Sequence, residues 1–175
     1  FAISPQWLSK LNADFNKYGP KTLHIEEENN FLDLTLKAYR YYFNRSEIHF
    51  TEDDFDTLVK LFGDRSFKGP DYITEKFLSR DPDLNLYIYQ MDHFGSVSDG
   101  NTIPGFDRRN WVYHQDENHY LFGGGPRFTQ PLKTESDLKV RKLFVSAWTN
   151  FAKYGLKTSG QNYQLCKAKY CLTLN

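Results

Sequence analysis

Apolar residues between positions 4 and 80 recur every three or four residues, which is the spacing of amphipathic α-helices. The helix starts predicted from cap residues are Ser4-Pro5, about Asn29, the capping box of Thr51 with Asp54, and Pro70. Gly19-Pro20 and Gly63 are predicted to end the first and the third of these helices. The first half of the chain is therefore expected to be helical.

The pattern changes at residues 84–91, LNLYIYQM, whose aromatic and β-branched side chains predict a strand. Residues 95–110 are rich in Gly, Ser, Asp, Asn and Pro, which predicts a long loop. The longest helix is predicted at residues 133–154, where Thr134 is the N-terminal cap and Gly155 ends the helix.

Five amphipathic helices and two widely separated strands, residues 84–91 and 170–174, are not expected to make a sheet by themselves. A strand as apolar as LYIY needs neighbours that bury both of its faces. We therefore expect the rest of the sheet to lie outside this sequence. Residues 1–175 are accordingly predicted to be the C-terminal part of a single, larger α/β domain.

The composition is that of a globular protein, because 22 basic side chains balance 22 acidic ones and 39% of the residues are hydrophobic. Such a balance provides no basic surface for phosphate, so nucleic acid is not an expected partner. No apolar stretch approaches the roughly 20 residues of a membrane span. The start FAISPQWLSK is neither Met-initiated nor a signal peptide, so we expect the gene to encode residues upstream.

Two cysteines and one sequon bear on the compartment. Cys166 and Cys171 are too few for a disulfide scaffold or a four-thiolate metal site. A disulfide between them needs a turn, since a straight strand holds such residues about 16 Å apart, and pairing and free thiols are equally open. Asn44, in the triplet Asn44-Arg45-Ser46, is a glycosylation candidate. Together these features favour a secreted, extracellular protein, with a cytoplasmic one as the alternative.

Three histidines, His93, His114 and His119, follow the predicted strand in loop-like sequence. A helical zinc motif needs two histidines four positions apart, whereas His114 and His119 are five apart and would lie on different faces of a helix. No metal site is therefore predicted. The run of three glycines at 123–125 lacks the Lys-Ser/Thr of a phosphate loop and is interpreted as a turn.

His114 lies in NWVYHQDENHYLFGGGP, which resembles the histidine segment of the type-B carboxylesterase and cholinesterase family. Three further segments resemble this family in the same order, namely LFGDRSFKGP, LYIYQMDHFG and LFVSAWTNFAKYG. The segment KAYRYYF is similar to insect alpha-esterases and juvenile-hormone-esterase-like enzymes. The match covers most of residues 28–175.

The resemblance implies an α/β hydrolase fold, with a mixed central sheet flanked by helices and a triad in the order Ser, Glu or Asp, His. Only the histidine, His114, lies in this sequence, and the serine elbow, the oxyanion glycines and the acid are expected before Phe1. The implied function is hydrolysis of a small-molecule carboxylic ester by serine acyl transfer, without a metal or organic cofactor. The partner is then the N-terminal part of the same protein, and residues 1–175 alone are expected to be inactive.

The acidic residues beside His114 are interpreted as structural. We expect Glu117 to bond backbone near the loop, Asp116 to be solvated, and His119 to be exposed. Asp64, in LFGDRSFKGP, is interpreted as a structural turn residue.

Three residues depart from the family pattern: Trp111 replaces a glycine, Gln115 a small residue after the histidine, and Asn118 an apolar residue. Bulk beside the imidazole would narrow the pocket or mark a degenerate site. The alternative function is therefore that of a catalytically inactive, neuroligin-like adhesion or binding protein of the same fold.

Overall fold

The computed structural model describes residues 4–103, 108–124, 127–155, 165–166 and 171–174. The chain divides into two compact units, Phe1–Leu84 and Asn85–Asn175. The described part of the first unit contains helices and loops, and the second unit adds a small sheet. Within the described residues, no helix is both long and apolar enough to cross a membrane.

The described residues of the first unit, 4–84, form five α-helices, and each of the four predicted starts lies near one of them. The helices are α1 (Pro5–Ala13), α2 (Phe15–Leu23), α3 (Phe31–Phe43), α4 (Phe55–Gly63) and α5 (Gly69–Leu78). The capping box of Thr51 and Asp54 is present in a 3-10 turn, Glu52–Asp54, that leads into α4. A π-helical segment, Asp64–Lys68, joins α4 to α5.

One of the two predicted helix ends is wrong. The first helix breaks at Asp14 rather than at Gly19-Pro20, because the Asp14 side chain accepts a hydrogen bond from the backbone of Lys17, 3.1 Å away, and so starts α2. Pro20 lies inside α2. The predicted end of α4 at Gly63 is confirmed, but Gly63 keeps helical dihedral angles, φ −62° and ψ −46°, so the π-helical segment follows directly.

Tyr39 is at the centre of the core of the first unit. Its side chain is fully buried and its hydroxyl lies 2.8 Å from that of Thr22. Phe15 contacts its ring edge-on at 4.9 Å, and Phe50 packs against it at 5.4 Å. Burial raises the pKa of the Tyr39 phenol above its usual value, although the Thr22 bond opposes the rise. Tyr39 thus ties α3 to α2 and to the segment before α4.

The described residues of the second unit form a three-stranded sheet in the order β1–β3–β2, with β1 (Ile88–Met91), β2 (Leu165–Cys166) and β3 (Cys171–Leu174). β1 pairs with β3 in parallel, and β2 pairs with β3 antiparallel. The expectation that the two predicted strands do not pair is therefore wrong. The predicted strand at 84–91 is also shorter, because its first residues lie outside the ladder.

The helix between the parallel strands matches its prediction closely. A parallel pair needs a crossover connection, and α7 (Glu135–Tyr154) lies between β1 and β3 in the chain. The Thr134 hydroxyl caps its start by accepting from the backbone of Asp137, 3.0 Å away. Gly155 follows its end with a φ of 64°, which suits a residue without a side chain. A second helix, α6 (Asn118–Leu121), has only one turn.

Candidate active site

His114 is exposed on a loop that follows β1 and leads into α6. We call residues 108–117 the histidine loop. Its last part is a tight turn, in which the backbone of Asp116 donates to the carbonyl of Tyr113 at 3.1 Å and Asn118 donates to Gln115 at 3.0 Å. His114 is therefore carried by a loop rather than by a helix or a strand.

Asp116, two residues after His114, is buried with only 2% of its surface exposed. Its carboxylate accepts hydrogen bonds from the backbone of Tyr113 at 2.9 Å, the Ser98 hydroxyl at 2.9 Å and the backbone of Asp99 at 3.1 Å. The expectation that Asp116 is solvated is wrong. Buried carboxylates need such donors because desolvation of an unpaired charge is costly.

The sequence predicts that Glu117 forms a hydrogen bond with the backbone. In the structure, the Asp116 carboxylate accepts backbone hydrogen bonds instead. Glu117 is partly exposed and precedes α6, and its side chain does not cap that helix. The pattern of two adjacent acids did not reveal which of them points inward.

Gln115 has a φ of 74°, in the left-handed region that L residues rarely adopt. A glycine takes this conformation without strain, which is a physical reason for a small residue after the histidine. Here the Gln115 side-chain oxygen accepts a hydrogen bond from the Arg127 guanidinium, 2.6 Å away. Arg127 also pairs with Asp99. The Gln115 side chain, which departs from the family pattern, is thus held by Arg127.

His119 is buried, with 8% of its surface exposed, so the expectation that it is exposed is wrong. Its Nε2 lies 2.9 Å from a carboxylate oxygen of Asp99, and its ring meets Phe128 edge-on at 5.4 Å. Burial by itself raises the pKa of Asp99, but hydrogen bonds from Arg127 and His119 outweigh it and hold that pKa below its usual value. His119 therefore has a structural contact rather than an open position for chemistry.

Arg108 is a buried residue of the site that the sequence analysis missed. Its guanidinium donates to the carbonyl of Gly95 at 2.9 Å, the carbonyl of Trp111 at 3.3 Å and the side-chain oxygen of Asn101 at 3.3 Å. It also lies over the ring of Phe94, 3.9 Å from the centroid. The sequence gives no sign that an arginine in a polar loop is buried, because two of its hydrogen-bond partners, Gly95 and Asn101, lie in another segment of the chain.

Asp137 was also missed, although it is completely buried in the first turn of α7. Its carboxylate accepts from the backbone and hydroxyl of Ser96, the hydroxyls of Tyr120 and Thr134, and pairs with His93 Nε2 at 3.0 Å. His93 therefore belongs to this buried cluster. The cluster joins α7 to the segment after β1.

The remaining candidate residues belong to other elements of the chain. Asn44 is exposed at the end of α3 in the first unit, with a φ of 48°. Cys166 and Cys171 are directly opposite each other in the antiparallel pair of β2 and β3. Within the described ranges, no group of three or more His, Cys, Asp or Glu residues could hold a metal ion.

Comparison with known proteins matches residues 3–170 to the model of the carboxylesterase family. Juvenile hormone esterase of Tribolium castaneum is 27% identical over 166 residues, which cover 90% of this chain and 28% of that protein. Carboxylesterase 5A of Mus musculus is 31% identical over 111 residues, covering 61% of this chain and 18% of that protein. No solved structure matches significantly. The family match extends over nearly the whole sequence and confirms the resemblance of its motifs, and the chain therefore belongs to the carboxylesterase family.

Proposed function

We propose that this chain is the C-terminal part of a serine carboxylic-ester hydrolase and that His114 is its catalytic base. The observation that carries the proposal is the position of His114. Its imidazole is exposed on a loop that buried side chains hold in place, in a chain of the carboxylesterase family. The family implies an α/β hydrolase fold, and the described residues contribute helices and a three-stranded sheet to it.

In the proposed reaction, the His114 imidazole accepts the proton of a serine hydroxyl while the serine oxygen attacks the ester carbonyl. The imidazolium then gives this proton to the leaving alcohol as the acyl-enzyme forms. A water molecule hydrolyses the acyl-enzyme with His114 again as the base, which returns the serine. The nucleophile, the triad acid and the backbone donors for the oxyanion belong to the upstream part of the protein.

The partner of this chain in our proposal is the N-terminal part of the same protein. The chain spans about 28% of the length of juvenile hormone esterase and 18% of that of carboxylesterase 5A. In the first unit, α5 has no buried residue, and Ile73 and Phe77 are each 69% exposed. In the second unit, Trp148 and Phe151 of α7 are also exposed. Such apolar faces need a cover, and residues 1–175 alone lack a nucleophile for His114 to activate.

The substrate class is a small carboxylic ester that enters an apolar, aromatic-lined pocket. Relatives named as a juvenile hormone esterase and a carboxylesterase support this class, and the first of them supports the insect branch. We further propose that the protein is secreted and glycosylated at Asn44, since Asn44 and Ser46 of the sequon are exposed.

A second candidate function is the inactive, neuroligin-like adhesion protein. The observation that favours it is Gln115, a long side chain with left-handed backbone directly after His114. Trp111, in the position of a family glycine, adds bulk to the same loop.

The test uses the full-length protein that contains this chain. Hydrolysis of a short aryl ester and covalent labelling by a fluorophosphonate are measured beside a variant whose upstream nucleophilic serine is changed to alanine. Turnover and labelling that both disappear in the alanine variant support the esterase. Absence of both from the folded wild-type protein would refute it and leave the adhesion function.

A further inference from the structure

Two buried residues of opposite charge lie on either side of His114 in the chain, Arg108 before it and Asp116 after it. We propose that Arg108 and Asp116 are positioning residues, which hold the backbone of the histidine loop so that the His114 imidazole meets the serine in the correct place. This inference rests on the proposed function of His114. It assigns a role in the reaction to two side chains that do not touch the substrate.

Asp116 holds the second half of the histidine loop. One carboxylate oxygen accepts from the backbone of Tyr113, the residue directly before His114, at 2.9 Å. The other oxygen accepts from the Ser98 hydroxyl at 2.9 Å and from the backbone of Asp99 at 3.1 Å. The carboxylate thus joins the residue before His114 to a segment earlier in the chain. Bonds to a charged acceptor are the stronger kind, and burial protects them from water.

Arg108 holds the first half. Its guanidinium donates to the carbonyls of Trp111 and Gly95, and a third nitrogen donates to the Asn101 side chain. The planar guanidinium presents several donors in fixed directions, so one side chain can join two backbone segments. A lysine ammonium on a flexible stem cannot reproduce this arrangement.

Both side chains attach the loop to the same stretch of backbone, residues 95–101, which we call the support segment. Asp116 contacts its middle, at Ser98 and Asp99, and Arg108 contacts its two ends, at Gly95 and Asn101. The support segment is itself fixed, since the backbone of Ser96 donates to buried Asp137. The loop is therefore tied down on both sides of His114, while the imidazole stays exposed.

Precise placement has a large effect on general base catalysis. Displacement of a reacting group by about 1 Å can cost on the order of 100-fold in rate. Loss of the Asp116 or Arg108 contacts is therefore expected to act mainly on kcat. Substrate binding depends on the pocket and is expected to change little.

The test variant is Asp116→Asn in the full-length protein. An asparagine keeps one oxygen for Ser98 and Asp99 but places an amide group against the backbone N–H of Tyr113, so that bond is lost. We expect kcat to fall about 10- to 100-fold with KM within about threefold of wild type. Arg108→Lys is expected to change kcat in the same direction.

The matched control is Asp54→Asn, which changes a largely buried carboxylate of the first unit. Its hydrogen-bond partners, Arg45 and the backbone of Thr51, lie outside both the histidine loop and the support segment. At a temperature where circular dichroism shows that both variants are folded, Asp54→Asn should keep kcat within about threefold of wild type. An equal loss of kcat in the two variants would indicate general destabilisation and overturn the proposal.

Two further variants separate the possible failures. If Asp116→Asn does not fold, Ser98→Ala is measured in its place, because it removes one hydrogen bond to Asp116. A severalfold lower kcat supports the inference, and an unchanged kcat overturns it. His114→Ala tests the underlying function. If His114→Ala abolishes turnover while Asp116→Asn preserves it, the positioning role fails and the function stands. If His114→Ala preserves turnover, both fail.

Discussion

The carboxylate of Asp116 lies 2.9 Å from the backbone nitrogen of Tyr113, and this bond closes the loop around His114. It places exposed His114 and half-buried Gln115 at the tip of a turn whose base, Asp116, is buried. A charged side chain can occupy such a base only because other donors satisfy it, here Ser98 and the backbone of Asp99. The geometry explains how an exposed histidine keeps a defined position without a helix or strand to carry it.

Replacement of the candidate base should abolish most of the activity. In the full-length protein, His114→Ala is expected to lower kcat for a short aryl ester by about 10³-fold or more, because the serine loses its proton acceptor. Stability should change little, since the side chain is exposed. Steady-state kinetics and thermal unfolding measure the two effects.

His49, an exposed histidine of the first unit, supplies the control for that experiment. His49→Ala should leave turnover unchanged. His119→Ala should lower the unfolding temperature, because it removes the buried contact with Asp99. It should change kcat little. Near-normal turnover of the His114 variant would contradict the assignment.

The buried carboxylate of Asp137 should make stability depend on pH. Burial by itself raises its pKa, but hydrogen bonds from Ser96, Thr134, His93 and Tyr120 outweigh burial and hold the pKa below its usual value. Such a group adds stability that is present above its unfolded-state pKa of about 4 and is lost as the pH falls toward its folded-state pKa.

Asp137→Asn is therefore expected to lower the free energy of unfolding by about 3 kcal/mol at pH 7. The difference from wild type should shrink below about pH 4, where the carboxylate of the unfolded state begins to take up a proton while that of the folded state stays ionised. Urea unfolding of both proteins at several pH values measures it. A difference that stays constant down to pH 2 would contradict this account of the cluster.

Gly95 is expected to tolerate no side chain. A Cβ at this position would lie 1.7 Å from the Tyr120 hydroxyl oxygen and 2.5 Å from an Asp137 carboxylate oxygen. Gly95→Ala should therefore destabilise the protein by about 2–3 kcal/mol, because both buried groups must move. Gly123→Ala is the matched control, since nothing lies within 4 Å of its Cβ position. Equal unfolding temperatures for the two variants would argue against the packing described around Gly95.

Glycosylation at Asn44 can be tested without altering Asn44, whose φ of 48° suits asparagine. Ser46→Thr keeps the sequon and Ser46→Ala removes it. After expression through a secretory pathway, the first variant should show a mobility shift that a glycosidase reverses, and the second should not. Identical mobility of both variants with and without the glycosidase would exclude a glycan at Asn44.

We predict that Cys166 and Cys171 form a disulfide when the protein is expressed through a secretory pathway. They are partners in the antiparallel pair, and opposite residues in such pairs have Cα atoms about 4.5–5.5 Å apart, within the range of disulfides. Lys167 and Lys169 lie between them, so trypsin should yield two joined peptides. Mass spectrometry before and after reduction detects the link. Alkylation of both cysteines without prior reduction would contradict it.

Much of the local structure could be predicted because its interactions lie close together in the chain. The Thr134 cap, the end of α7 at Gly155 and the capping box of Thr51 and Asp54 each involve residues only a few positions apart. The break at Asp14 is also a local cap, but the Gly19-Pro20 pair farther on is the stronger helix-ending pattern in the sequence. The family motifs likewise identified His114, because they are contiguous stretches of sequence.

Short sequence patterns are thus enough to predict most of the helices, the family and the candidate base. Long-range contacts decide instead that Asp116 rather than Glu117 is buried, that His119 is enclosed, and that β1 pairs with β3. These features escape local patterns because a polar group can be buried only when partners from elsewhere in the chain satisfy it. Asp137 shows this most clearly, because its partner His93 lies 44 positions earlier and no local pattern connects the two.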